Sequence, residues 1–173
     1  MAIVNLDKVL SGANGNLESV IVYNKEKAQV ADFANGLIVK LEQYIEKFDP
    51  TVAITRVGEV HGATLSADGT GDVLLVHAPE LPYDERILMR DFTNEKGKVV
   101  RGYRLAQGDI ISVTDPVLGL AKHDAIAVGD TVIVTDGKLV KGEAVAGALT
   151  FEVTADNGYQ VDSQEQSWTL QVK

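Results

Sequence analysis

Asp130-Thr-Val-Ile-Val-Thr-Asp-Gly-Lys-Leu-Val-Lys141 decides how the chain is read. Val132, Ile133, Val134 and Thr135 are β-branched or nearly so in a run, and such side chains suit a pleated, half-buried surface better than a helix. Asp136-Gly137 follows, a pair that tolerates positive φ at both positions, and Leu139-Val140 begins a second short apolar run. The stretch reads as a β-hairpin with a two-residue turn.

The same grammar recurs outward from it. Asn14-Gly15, Asn35-Gly36, Asp68-Gly69 and Asn157-Gly158 each sit beside a strand-like run. Further strands are predicted at Ser19 to Tyr23, Leu37 to Leu41, Val52 to Val57, Val73 to His77, Val99 to Leu105, Asp109 to Val113, Thr150 to Thr154 and Trp168 to Val172. Two stretches compete as helices. Ile38, Leu41, Ile45 and Phe48 share a helical face, yet Leu37 to Leu41 also alternates, and the preceding Gly36 favours a strand after a turn. After Pro82, acidic groups come early and arginines later, with Ile87, Leu88 and Phe92 for a buried face, so the one short helix is expected there.

These readings give a mainly β protein, a compact barrel or sandwich-like body. Its 173 residues fit a single domain, with no internal repeat and no compositional boundary. Residues 1–24, with Gly12, Asn14, Gly15 and Asn16 clustered, read either as an extended N-terminal arm that orders against a partner or as an ordinary first loop.

Composition excludes several classes. There is no cysteine, hence no disulfide framework, thiolate metal site or cysteine nucleophile. No apolar run approaches the ~20 residues of a membrane span, and the first ten residues lack the apolar core of a signal peptide. Net charge is −9, the wrong sign for binding nucleic acid. The excess is concentrated late: residues 106 to 173 carry 4 basic and 10 acidic groups.

Reactive chemistry finds little support. His61, His77 and His123 are scattered without a metal-ligand spacing, and a lone histidine in a strand such as His77 reads as packed or hydrogen-bonded. Glu80, Asp84 and Glu85 offer carboxylates, but beside Pro82 and Arg86 they serve more simply as helix-start charges. Asp130 and Asp136 belong to turns and lack a calcium-loop pattern. Gly69-Thr-Gly71 and Asp136-Gly-Lys138 lack the remaining elements of phosphate-binding loops, and no Gly-x-Ser-x-Gly elbow occurs. No enzyme, cofactor or metal is expected.

One charge feature stands above background. Arg86, Arg90, Lys96, Lys98, Arg101 and Arg104 fall within nineteen residues that hold only Asp91 and Glu95 as acids. Alternation places Arg101 and Tyr103 on one strand face and Arg104 on the other. Such a strip suits an acidic partner or a second copy met head to tail, and is weighed against a solvated face with local ion pairs.

Larger blocks carry a resemblance. Asn5-Leu-Asp-Lys-Val-Leu-Ser-Gly-Ala-Asn-Gly-Asn-Leu-Glu-Ser-Val20, Asn35-Gly-Leu-Ile-Val39, Val73-Leu-Leu-Val-His-Ala-Pro-Glu-Leu-Pro-Tyr-Asp-Glu-Arg86 and Arg101-Gly-Tyr-Arg-Leu-Ala-Gln-Gly-Asp-Ile-Ile-Ser-Val113, followed by Val128-Gly-Asp-Thr-Val and Asp136-Gly-Lys-Leu-Val140, run in order along nearly the whole chain. They resemble a family of structural proteins encoded beside the major capsid gene in tailed phages and prophages of Gram-positive bacteria. The resemblance implies a virion protein on the capsid surface, a decoration or cement protein whose partners are the major capsid protein and further copies of itself. From the residues, the contacts are expected on the arm (Asn5, Leu6, Val9, Leu10, Asn14, Leu17) and on the strip (Arg86, Arg90, Lys98, Arg101, Tyr103, Arg104). The alternatives are a tail or connector component and a head-displayed adhesin that binds host glycans, for which Trp168 and Tyr159 are the available aromatics.

Overall fold

The computed structural model describes residues 3–8, 17–53, 58–79, 92–119, 126–162 and 164–173. Among these residues eleven strands form two sheets: β1 (Val4–Lys8), β2 (Leu17–Tyr23), β3 (Ile38–Tyr44), β4 (Val60–Leu65), β5 (Val73–Val76), β6 (Val100–Tyr103), β7 (Ile110–Thr114), β8 (Thr131–Thr135), β9 (Lys138–Lys141), β10 (Thr150–Gly158) and β11 (Ser167–Val172). Strands β2-β4-β3-β5-β6 close into a small barrel, and β1-β7-β11-β10-β8-β9 form a six-stranded sheet against it. The body is therefore β-rich, part barrel and part sandwich.

Alternation assigns every face. In β5, Leu74 and Val76 point into the barrel with Val20, Val22, Val39, Ala63 and Val100. Val73 and Leu75 point outward, into a larger core with Ile111, Val113, Val132, Val134, Leu139, Phe151, Val153 and Leu170 of the sheet. Each fully buried aliphatic side chain in these layers is worth about 1.5–3 kcal/mol relative to exposure. Trp168 belongs to this core too, 5% exposed, with its indole N–H donating to Asp115 Oδ1 at 2.7 Å.

The hairpin at Asp130–Lys141 forms as predicted, with Val134 opposite Leu139 and Thr135 opposite Lys138. Its turn also docks on the barrel. Gly137 N–H donates to Ser66 O at 2.6 Å, Ile38 N–H donates to Gly137 O at 2.8 Å, and Asp136 N–H donates to Ala67 O at 3.1 Å.

Four expectations are revised or fall elsewhere. Where described, residues 1–24 are part of the body: Val4 is 1% exposed in the sheet core, and β2 is a barrel stave between β4 and β6. At these residues the stretch contributes apolar side chains to both cores. The helix expected after Pro82 lies outside the described residues. A single turn of helix, α1 (Ile45–Phe48), instead follows β3 and lays Phe48 over Gly62, where a Cβ would sit 2.4 Å from the ring. Of the strand expected at Val52 to Val57, Val52 and Ala53 lie in a turn or beyond it, Val52 packing beside Ile21, Tyr23 and Ile45, and 54–57 lie outside the described residues. Strand β4, by contrast, was not expected at all.

Candidate docking surface

The register fixes which end of the barrel each strip residue occupies. β2 and β4 run parallel, while β3 opposes β4, β5 opposes β3 and β6 opposes β5. The start of β2, the start of β4, the end of β3, the start of β5 and the end of β6 therefore meet at one mouth, and the segment entering β6 lies at the other.

At that other mouth, residues 94–99 form a pinned ridge. Phe33 and Asn94 exchange backbone hydrogen bonds, Phe33 N–H to Asn94 O at 3.1 Å and Asn94 N–H to Phe33 O at 2.7 Å. The buried Asn94 amide also donates to Asn35 Oδ1 at 3.1 Å, and Asn35 exchanges two 2.9 Å bonds with the backbone of Ala78. Lys96 N–H donates to Asp32 Oδ1 at 2.8 Å, and Lys98 N–H closes a turn on Glu95 O at 3.2 Å. Gly97 has φ +72° and lies so close to Gln29 that a Cβ would stand 2.8 Å from its Oε1.

From this support Lys96, Lys98, Val99 and Arg101 are exposed, Val99 at 48%. No described carboxylate forms an ion pair with Lys96, Lys98 or Arg101. The alternation within β6 is as expected: Val100 and Gly102 are buried, Arg101 exposed and Tyr103 half-buried. Leu17 of the N-terminal stretch lies directly opposite Tyr103, and Ser19 opposite Arg101, so these two expected contact regions adjoin along β2 and β6. Asn5 is exposed on β1, whereas Leu6 packs partly against the sheet core. Val9, Leu10, Asn14, Arg86 and Arg90 lie outside the described residues.

Arg104 departs from the expectation. It turns into the opposite mouth, where Nε and Nη2 donate to the two carboxylate oxygens of Asp72 at 2.8 and 3.0 Å and Nη1 donates to Glu18 Oε1 at 2.6 Å. Asp72 and Glu18 together raise the guanidinium above its already high range, and Arg104 in turn holds Asp72 below the ordinary carboxylate range. With its five-donor fork committed to these two acids, Arg104 is a clamp across the barrel end and not a free contact.

His61 completes this mouth. Its Nδ1–H donates to Glu42 O at 2.9 Å, because a carbonyl can only accept, and Nε2 stands 4.0 Å from Glu18 Oε2. Tyr44 stacks on its ring at 4.1 Å between centroids, and Thr64 Oγ1 donates to Glu42 Oε1 at 3.0 Å. Nothing in the local sequence announces this cluster, since Glu18, His61, Asp72 and Arg104 come from four separate segments.

Among the described residues no group of three His, Cys, Asp or Glu side chains is placed to hold a metal ion. His61 and His77 lie at opposite ends of the barrel, and His123 with Glu80, Asp84 and Glu85 lies outside the described residues. A shallow depression of about 270 Å³ between the two sheets is lined by Asn24, Lys25, Glu26, Leu65 and Asp136, and a Lys25–Asp136 ion pair spans it. Comparison with family models, with curated proteins and with solved structures finds no match to this chain.

Proposed function

We propose that this chain is a non-enzymatic structural protein of a tailed-phage head, which decorates the shell and stabilises it by binding the lattice of major capsid protein. The observation that carries the reading is the ridge. A chain of net charge −9 presents Lys96, Lys98 and Arg101 from a hydrogen-bonded support, unpaired among the described carboxylates and beside an exposed Val99. Rigid presentation of this kind lowers the ordering entropy that a contact must overcome.

The sequence blocks that resemble head-associated proteins give the partner. A cement protein needs no reactive side chain; it needs a stiff body and a modest contact repeated over a symmetric shell, so that many weak contacts act together. Binding the assembled shell but not its separated subunits stabilises the assembly by mass action. In this reading Leu17 and Tyr103 extend the contact beyond Arg101 toward the opposite mouth, Arg104 acts inside the body, and the protein sits on the capsid surface as neighbouring copies after synthesis in the bacterial host cytoplasm. It uses no cofactor.

The test is to mix the purified protein with mature heads that lack it, pellet them, and count bound copies per head. Saturation at a number matching a shell lattice, with better DNA retention on heating, supports the reading. Saturation at a dozen copies or fewer points to a connector ring instead.

A further inference from the structure

His77 stands where the barrel meets the six-stranded sheet. Its backbone N–H donates to Arg101 O at 3.0 Å, and its ring meets Tyr103 edge-on, 6.1 Å between centroids. Nε2 lies 3.1 Å from the carbonyl oxygen of Val4 in β1. A carbonyl only accepts, so Nε2 carries the proton and Nδ1 bears the lone pair. That Nδ1 is buried, and among the described residues it is the only buried side-chain nitrogen or oxygen without a hydrogen-bond partner.

Among the described residues β1 is an edge strand, paired with β7 alone. On its other side it rests on the barrel through Val4, whose methyl would stand 3.1 Å from a Cβ at Gly36, and through the bond to His77. Loss of β1 would leave every other ladder intact.

We propose that His77 is an acid-sensitive latch that holds β1 against the barrel, and that uptake of a proton from solvent at Nδ1 releases the strand. Among the described residues the imidazolium's second N–H would have only the backbone of His77 itself to offset its charge, and a buried, poorly compensated charge is costly. Burial outweighs the backbone contacts to Val4 and to His77 itself that favour the charged form. From β6 the titratable and charged groups are the Tyr103 phenol and the exposed Arg101, whose charge opposes protonation. The described side chains of β1 and the residue before it, Ile3 to Leu6, are uncharged, with Asp7 and Lys8 further along the strand. Those of β5 are aliphatic, and beyond it Asn35 is bound to Ala78. Burial holds the imidazole below its ordinary range. The folded value lies below the unfolded one, so the latch is fully engaged above about pH 6.5, the unfolded imidazole value, and is lost as pH falls through the folded value.

Amide hydrogen exchange of the full chain tests this. Thr114 N–H donates to Ile3 O at 3.1 Å and Ile3 N–H donates to Thr114 Oγ1 at 2.9 Å, so these two amides report β1. After correction for intrinsic rates, their protection should fall by up to about tenfold per pH unit as pH drops from about 6.5 toward the folded value and level off below it, while Val153 and Leu170 keep theirs. His77→Gln retains a donor for Val4 O and cannot be protonated, so it should abolish the pH dependence. The idea is overturned if His77→Gln shows the same loss, if Val153 and Leu170 open together with Ile3, or if no loss occurs. Should His77→Gln fail to fold, nitrogen shifts of the His77 ring in the unaltered protein decide. An Nδ1–H tautomer, or protonation without opening at Ile3, contradicts the latch.

Discussion

Ile38 and Gly137 are joined by a backbone hydrogen bond of 2.8 Å that crosses from β3 of the barrel to the turn of the β8–β9 hairpin at the edge of the sheet. Gly137 has φ +78°, and a Cβ there would stand 2.9 Å from Leu65 Cδ2 and 3.2 Å from Ile38 O. The turn therefore serves twice, reversing the hairpin and seating the sheet on the barrel.

Gly147 supplies an internal control, with the same φ of +78° and nothing within 4 Å of its added Cβ. Gly147→Ala should cost about 1–2 kcal/mol, the left-handed backbone penalty alone. Gly137→Ala should cost about 1–3 kcal/mol more, because the methyl must also displace Leu65 or the Ile38 carbonyl. Urea midpoints of the two variants measure the difference. Equal losses would mean that the seating contact contributes nothing.

Arg104→Gln should lower stability by about 1 kcal/mol at neutral pH, a modest figure because the clamp is partly solvated. Arg104→Lys should recover little of it, since an ammonium cannot fork onto Asp72 while reaching Glu18. The pH profile carries a sign. Asp72 is held below its unfolded value, so its contribution is complete above the ordinary aspartate range and is lost as pH falls through the folded value. Stability of Arg104→Gln measured from pH 7 to pH 3 should show a shallower acid decline than that of the unaltered protein.

Trp168→Phe should keep the ring in the core while removing the donor to Asp115, which is 5% exposed. A hydrogen bond to a buried carboxylate is worth about 1.5–3 kcal/mol, and thermal unfolding should register a loss of that size. A change below about 0.5 kcal/mol would mean that the remaining neighbours of Asp115 suffice.

These sites differ in how far the sequence foretold them. The hairpin at Asp130–Lys141 was legible because β-branched residues and an Asp-Gly turn are local signals. β4 was not, because its inner and outer neighbours demand small residues: Gly62 lies under Phe48 and Ala63 fills the barrel, which leaves Val-His-Gly-Ala-Thr-Leu without a strand-like look. The parallel pairing of β2 with β4 that closes the barrel has no local signature either. Of the basic strip, Lys98 and Arg101 are exposed as charge patterning suggests, but the fate of Arg104 depended on Glu18 and Asp72, 86 and 32 residues away. Charge counts along a chain cannot register partners brought in by topology. Trp168, weighed above as an aromatic for glycan binding, is instead packed in the sheet core, because alternation along β11 turns it inward.

The proposed docking of the cationic ridge on a capsid lattice can be tested by charge reversal. Bound copies on mature heads should be compared for the unaltered protein and for the Lys96→Glu, Lys98→Glu, Arg101→Glu triple variant, with matched circular dichroism and urea midpoints establishing that both are folded. The unaltered protein should bind saturably and more weakly with added salt, and the variant should lose at least tenfold in affinity. Binding of the variant equal to that of the unaltered protein, or no binding of either, would contradict it.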